Sequence, residues 1–143
     1  MLDVACAIIL RADGTAMAAR RGPTMRLPGL WEFPGGKLEP GECSAGALMR
    51  EIEEELRVRI RLLRELPPVD HHYADFSIRL HPWICEIAQG EPEPMEHAEI
   101  RWVNAAALPD LDWAAADLPV LEALLELARS PGENPDLRRL IGR

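Results

Sequence analysis

Residues 4–10, Val-Ala-Cys-Ala-Ile-Ile-Leu, are an unbroken apolar run, and Ala12-Asp13-Gly14-Thr15 is a tight-turn signal leading into residues 16–20. This pattern predicts a strand, a hairpin and a second strand. Residues 22–41 follow with Pro28-Gly29, Pro34-Gly35-Gly36 and Pro40-Gly41, the composition of an ordered loop with unusual backbone angles. From Ser44 to Leu56 the period changes: Ala45, Leu48, Met49, Ile52 and Leu56 recur at three- and four-residue spacing, which predicts a helix with one core face and Ser44 as a candidate cap. Residues 58–63, 76–87 and 100–103 read as further strands, extending one mixed sheet. Residues 118–128 read as a second helix, with Asp117 as N-cap and Pro119 in the first turn.

A chain of 143 residues suffices for one domain with a substantial core. We expect the domain to span residues 1–129. Residues 130–143, with Pro131-Gly132, Asn134-Pro135 and a basic end, are expected to form a loosely held tail. No apolar run is long enough to cross a bilayer, and the start of the chain has an acid, Asp3, where a signal peptide carries Lys or Arg. A cytoplasmic protein, monomeric or homodimeric, is the expectation. Cys6, Cys43 and Cys85 form no metal or disulfide pattern and are expected to be reduced and at least half-buried. A net charge of -8 argues against binding to duplex nucleic acid, which depends on Lys and Arg displacing counterions from phosphates.

The acids are not scattered evenly. Glu51, Glu54 and Glu55 stand at i, i+3 and i+4 and share one face of the predicted helix. Each such like-charge pair costs roughly 0.2–0.5 kcal/mol on an exposed helix. A divalent cation removes the conflict, and clustered carboxylate oxygens suit Mg²⁺ or Mn²⁺, with phosphate oxygens as further ligands. On charge pattern alone, a solvated face balanced by Arg50, Arg57 and Arg59 is an equal reading.

The spacing separates the two. From Gly36 there are five residues to Glu42, seven more to Arg50-Glu51, then Ile52-Glu53-Glu54-Glu55-Leu56-Arg57-Val58. This resembles the Nudix box: Gly, five residues, Glu, seven residues, Arg-Glu, an aliphatic, any residue, Glu-Glu, any residue, Gly and an aliphatic. One position departs, Arg57 in place of Gly, where the helix end usually wants a left-handed backbone. A changed helix end is expected there, with no metal ligand affected. The stretch Leu30-Trp31-Glu32-Phe33-Pro34-Gly35-Gly36-Lys37 is similar to MutT-type members, and the likeness runs over about residues 3–128.

The resemblance implies an α/β/α sandwich around a mixed sheet and a pyrophosphohydrolase that converts a nucleoside triphosphate to monophosphate and pyrophosphate. It implies Mg²⁺, with Mn²⁺ as a substitute, held by Glu51, Glu54 and Glu55 with the Gly36 carbonyl. Arg50 would orient a box glutamate, and Glu42 would support the loop. Glu96 stands where MutT-type enzymes supply a further carboxylate, as metal ligand or base; otherwise it is one acid among Glu91, Glu93 and Glu99. The general base is left between Glu51 and Glu96. Arg21, Phe33 and Asp117 match base-pocket positions, and Lys37 joins them as a substrate-binding residue. Their plainer readings are a solvated hairpin residue, a core aromatic and a helix N-cap. Asp117 replaces the Asn of the 8-oxoguanine enzyme; an ionised Asp only accepts hydrogen bonds and would favour a base edge that presents protons. Members acting on CTP and modified dCTP look similar at Glu96-His97 and at residues 116–119. His71, His72, His81 and His97 lack metal-ligand spacing and are taken as loop or strand residues, and the four tryptophans as packing. Two rivals stay open: hydrolysis of another diphosphate, such as ADP-ribose, a dinucleoside polyphosphate or a capped RNA end, and a non-catalytic Nudix-fold binding module, which would lack the box glutamates that this chain keeps.

Overall fold

The computed structural model describes residues 1–130 together with Gly132, Pro135, Arg139 and Leu140. Most of the expected tail over 130–143 therefore lies outside the described residues. The order is β1 (Leu2–Ile9), β2 (Thr15–Arg20), β3 (Trp31–Glu32), β4 (Gly35–Lys37), α1 (Ser44–Leu56), β5 (Arg59–Glu65), β6 (Val69–His72), β7 (Ser77–Gln89), β8 (Glu99–Asn104) and α2 (Leu118–Arg129). Short 3-10 turns at Leu108–Asp110 and Ala115–Asp117 lead into α2.

β1 runs through the middle of the larger sheet, parallel to β7 and antiparallel to β4. Its side chains alternate between two cores. Ala5, Ala7 and Ile9 meet Leu48, Ile52 and Leu56 of α1 on one face. Cys6, Ile8 and Leu10 meet Val120, Leu121 and Leu124 of α2 on the other. A strand buried on both faces has no polar side, which is why it reads as a continuous apolar run. The result is the expected α/β/α sandwich with a mixed sheet.

Two expectations are corrected. The strands do not form one sheet: β4, β1, β7 and β5, with β6 on β7, make one, and β3, β2 and β8 make a second. Nor do β1 and β2 form a regular hairpin. The turn closes through Arg11 N–H to the Thr15 carbonyl and a single Leu10–Ala16 bridge, after which β2 pairs with β8 and β3. Both edges of β1 are already taken by β4 and β7, so β2 has no ladder to join there. At β4, a Cβ on Gly35 would lie 1.9 Å from the Ala5 carbonyl oxygen, so only glycine allows the close pairing that brings Gly36 and Lys37 beside β1.

The helix ends also differ from expectation. The first cap of α1 is Cys43, whose sulfur accepts from Gly46 N–H at 3.4 Å, while Ser44 Oγ accepts from Trp83 Nε1. Cys43 is consequently exposed, unlike the buried Cys6 and Cys85. Asp117 precedes α2 but makes no capping bond; it sits in the αR region, and its side chain turns away to Phe33. Arg57 keeps the left-handed geometry, with φ 60° and ψ 29°, and donates its N–H to the Glu53 carbonyl. The helix end is unchanged by the loss of glycine, contrary to the sequence expectation.

Candidate active site

α1 carries Arg50, Glu51, Glu54 and Glu55 toward the loop that precedes it. Arg50 is the joint. Its Nε and one terminal nitrogen grip both oxygens of Glu42 at 2.9 and 2.8 Å, and the other terminal nitrogen reaches Glu51 Oε1 at 2.8 Å. It also donates to the Lys37 carbonyl at 3.1 Å and lies 3.5 Å from Glu54 Oε2. A planar fork that satisfies two carboxylates and a carbonyl at once fixes loop to helix in a way that a Lys point charge could not. The Arg50 guanidinium, helped by the Glu39 N–H, pulls the Glu42 carboxyl down from its ordinary 4.5 to about 2.

Glu51 rests on bare backbone. A Cβ on Gly36 would fall 2.2–2.6 Å from the Glu51 carboxyl group, so glycine is what lets the two meet. One turn further along, Glu55 is half-buried and its Oε2 has no hydrogen-bond partner. Burial first, then the charges of Glu51, Glu32 and Glu96, push its pKa up to about 8, with Arg21 opposing. Glu54 and Glu96 are exposed. Gly36, Arg50, Glu42 and Glu51 are thus in direct contact, Glu55 and Glu96 are coupled through charge, and Glu54 stays on the outer side. Among the described residues no three carboxylate, imidazole or thiol groups converge on a common point. Arg50 engages Glu51 and reaches Glu54 instead. The donor set nonetheless fits a hard divalent cation: hard oxygen ligands, an orphaned buried carboxylate oxygen, and neighbouring negative charges that raise the pKa of Glu55.

A cleft of about 250 Å³ opens from this group. It is lined by Gly36, Lys37 and Glu55 and also by Arg21, Phe33 and Asp117, so all four residues singled out for substrate binding face one cavity. Arg21 is no solvated hairpin residue, since its guanidinium binds Glu32 and the Arg26 carbonyl. Phe33 is 2% exposed and packs on Trp113 with ring centroids 4.7 Å apart, so it is both core and wall. Asp117 is buried, and its Oδ1 accepts from Phe33 N–H at 2.9 Å. Burial, then the charge of Glu32, raises its pKa well above the ordinary value for an aspartate. That shift favours the protonated form, and a carboxyl that keeps its proton both donates and accepts, where an ionised one only accepts.

Sequence reasoning missed Glu32, His97, Tyr73 and Phe76. Glu32 and the two aromatic residues line the cleft, and His97 holds Glu32 at 2.8 Å. A signal was present for Glu32: an acid between Trp31 and Phe33 in a stretch bound for the interior needs a partner.

Comparison with known proteins follows the same lines. The NUDIX domain family matches residues 5–123. The chain is 35% identical over 127 residues to the CTP pyrophosphohydrolase of Escherichia coli K12, covering 89% of this chain and 93% of that one. To the 8-oxo-dGTP diphosphatase of the same organism it is 29% identical, covering 88% and 98%. The solution structure of the E. coli ORF135 protein superposes with a TM-score of 0.79 at 32% identity, covering 93% and 94%.

Proposed function

The chain belongs to the Nudix family of hydrolases, and from that premise we propose that it cleaves a nucleoside triphosphate to the monophosphate and pyrophosphate in the cleft beside α1, with Mg²⁺ as cofactor. The observation that carries this is the continuity of the cleft: side chains able to hold a base and the half-buried box glutamate with an unpartnered oxygen line the same cavity. Relatives named for CTP and for 8-oxo-dGTP support a nucleotide substrate.

The Gly36 carbonyl, Glu51, Glu54 and Glu55 would hold the cation, with Glu96 as a further carboxylate. A bound Mg²⁺ lowers the pKa of water and offsets charge on the phosphate oxygens; Mn²⁺ would serve in its place. Arg50 keeps Glu51 against Gly36. Lys37 supplies positive charge at the phosphate end, while Phe33 walls the base and Arg21 and Asp117 read its edge. With Oδ1 given to Phe33 N–H, Asp117 has one oxygen left to bond a base. Water attacks an inner phosphorus, pyrophosphate leaves, and the proton passes to Glu51 or Glu96. Removal of modified nucleotides from a cytoplasmic pool is the role we assign; the free, buried thiols of Cys6 and Cys85 accord with a reducing compartment.

The test is incubation with Mg²⁺ and dCTP, CTP, 5-methyl-dCTP, 8-oxo-dGTP, dGTP or ADP-ribose, with monophosphate and pyrophosphate measured. Release of both is expected from at least one triphosphate. Glu54→Gln and Glu55→Gln should each lower turnover by on the order of 10²-fold or more. Cleavage of ADP-ribose alone would redirect the reading to another diphosphate.

A further inference from the structure

None of the four histidines enters the reaction above, yet His97 is fully enclosed, with its side chain 0% exposed. It lies in the segment between β7 and β8, which is fastened at three backbone points. Glu93 and Met95 donate to the Leu56 and Glu55 carbonyls at the end of α1, at 2.9 and 3.0 Å, and Ala98 donates to the Arg20 carbonyl at 2.9 Å. These bonds hold Glu96 near enough to Glu55 for its charge to act there, while His97 turns inward. There Nε2 meets Glu32 Oε2 at 2.8 Å. The other oxygen of Glu32 accepts from Arg21, whose Nε in turn donates to the Arg26 carbonyl.

A carboxylate only accepts, so the shared proton sits on Nε2. Nδ1 is buried without a partner. Simple packing would be better served at this position by an apolar side chain, which has no nitrogen to strand. What the imidazole adds is the N–H to Glu32.

Resting on the reading of the cleft as a nucleotide site, we propose that His97 is a positioning residue for base selection. It fixes Glu32, and Glu32 aims the Arg21 guanidinium into the cleft, so that the segment bearing Glu96 also sets the geometry that discriminates bases. Glu32 has two oxygens and two side-chain partners; with His97 removed, its carboxylate can rotate and Arg21 can swing with it.

The experiment compares the full chain with His97→Leu, which removes the donor, and His97→Gln, whose amide N–H can replace it. Affinities for dCMP, 5-methyl-dCMP, dGMP and 8-oxo-dGMP are measured by calorimetry, which needs no turnover, with hydrolysis of the triphosphates alongside. In His97→Leu the ratio of tightest to weakest affinity should shrink by on the order of tenfold, and His97→Gln should restore most of it. An unchanged ratio in His97→Leu, or an equal weakening toward every nucleotide, overturns the proposal, whatever happens to melting temperature. So does a wild-type protein with no preference among the four. If Leu at this position does not fold, the near-isosteric Glu32→Gln carries the same expectation and the same power to refute. Discrimination by a wild-type protein that hydrolyses no triphosphate would refute the hydrolase reading and leave this inference standing.

Discussion

Gly36 and Glu42 support the same stretch of α1, Arg50-Glu51, through different forces, one steric and one electrostatic. A methyl group at Gly36 would press on the Glu51 carboxyl, the far end of a flexible side chain, so the fold should survive while Glu51 is displaced. Gly36→Ala is expected to lower kcat by about 10²-fold, the usual consequence of a displacement near 1 Å at a reacting centre, with circular dichroism unchanged. Glu42 has its pKa lowered from 4.5 to about 2, so its bond to Arg50 favours the folded state above the unfolded value and loses that effect as pH falls toward 2. The melting-temperature gap between wild type and Glu42→Gln should be constant above pH 5 and close on acidification; a gap independent of pH would remove the charge argument. Both residues were legible in the sequence, because the Nudix spacing depends on them. Asp117 was legible as a position, but the upward shift of its pKa was not, since it comes first from burial and then from Glu32, which stands 85 residues earlier in the chain and nears it only in the fold.

Among the elements, α1 was the most legible because its apolar stripe and acidic face have the same period. Its bounds and its buried face, Leu48, Ile52 and Leu56, agree with the sequence pattern. What the pattern could not reveal was which neighbouring side chain caps it, since Cys43 and Ser44 compete and Trp83, from distant β7, takes the Ser44 oxygen. β3, β4 and β6 are two to four residues long and carry no period of their own; they exist because a neighbouring strand offers an edge. At the other end of α1, Arg57 holds φ 60°, a conformation that costs a side-chain-bearing residue about 1–2 kcal/mol. Glycine would remove that strain but gives more freedom to the unfolded chain, so Arg57→Gly should stabilise by about 0.5–1 kcal/mol net. The readout is a rise of about 3 °C in melting temperature, with the capping bond from residue 57 to the Glu53 carbonyl kept. A fall would mean that the arginine side chain contributes a contact worth more than the strain.

At the scale of the whole molecule, the division into two sheets follows from occupied edges, information that no local stretch of sequence holds. The same global accounting bears on the end of the chain. Leu140 is 1% exposed and borders an apolar cleft with Leu10, Leu108 and Leu124, residues that do not line the cleft beside α1, and Arg139 bonds Glu86 of β7 at 2.8 Å. Burying a leucine side chain is worth about 1.5–3 kcal/mol, whereas an exposed ion pair such as Arg139–Glu86 adds about 0–1 kcal/mol. Removing residues 131–143 should therefore destabilise the protein by about 2–3 kcal/mol, seen as a lower denaturation midpoint in urea. Because Leu140 packs on the α2 side of the sheet while α1 and the box glutamates lie on the other, kcat at a temperature where the truncated protein is still folded should stay at the wild-type value. A truncation that left stability unchanged would show that Leu140 is not held in the core in solution; one that lowered kcat would show that the two faces of β1 are coupled.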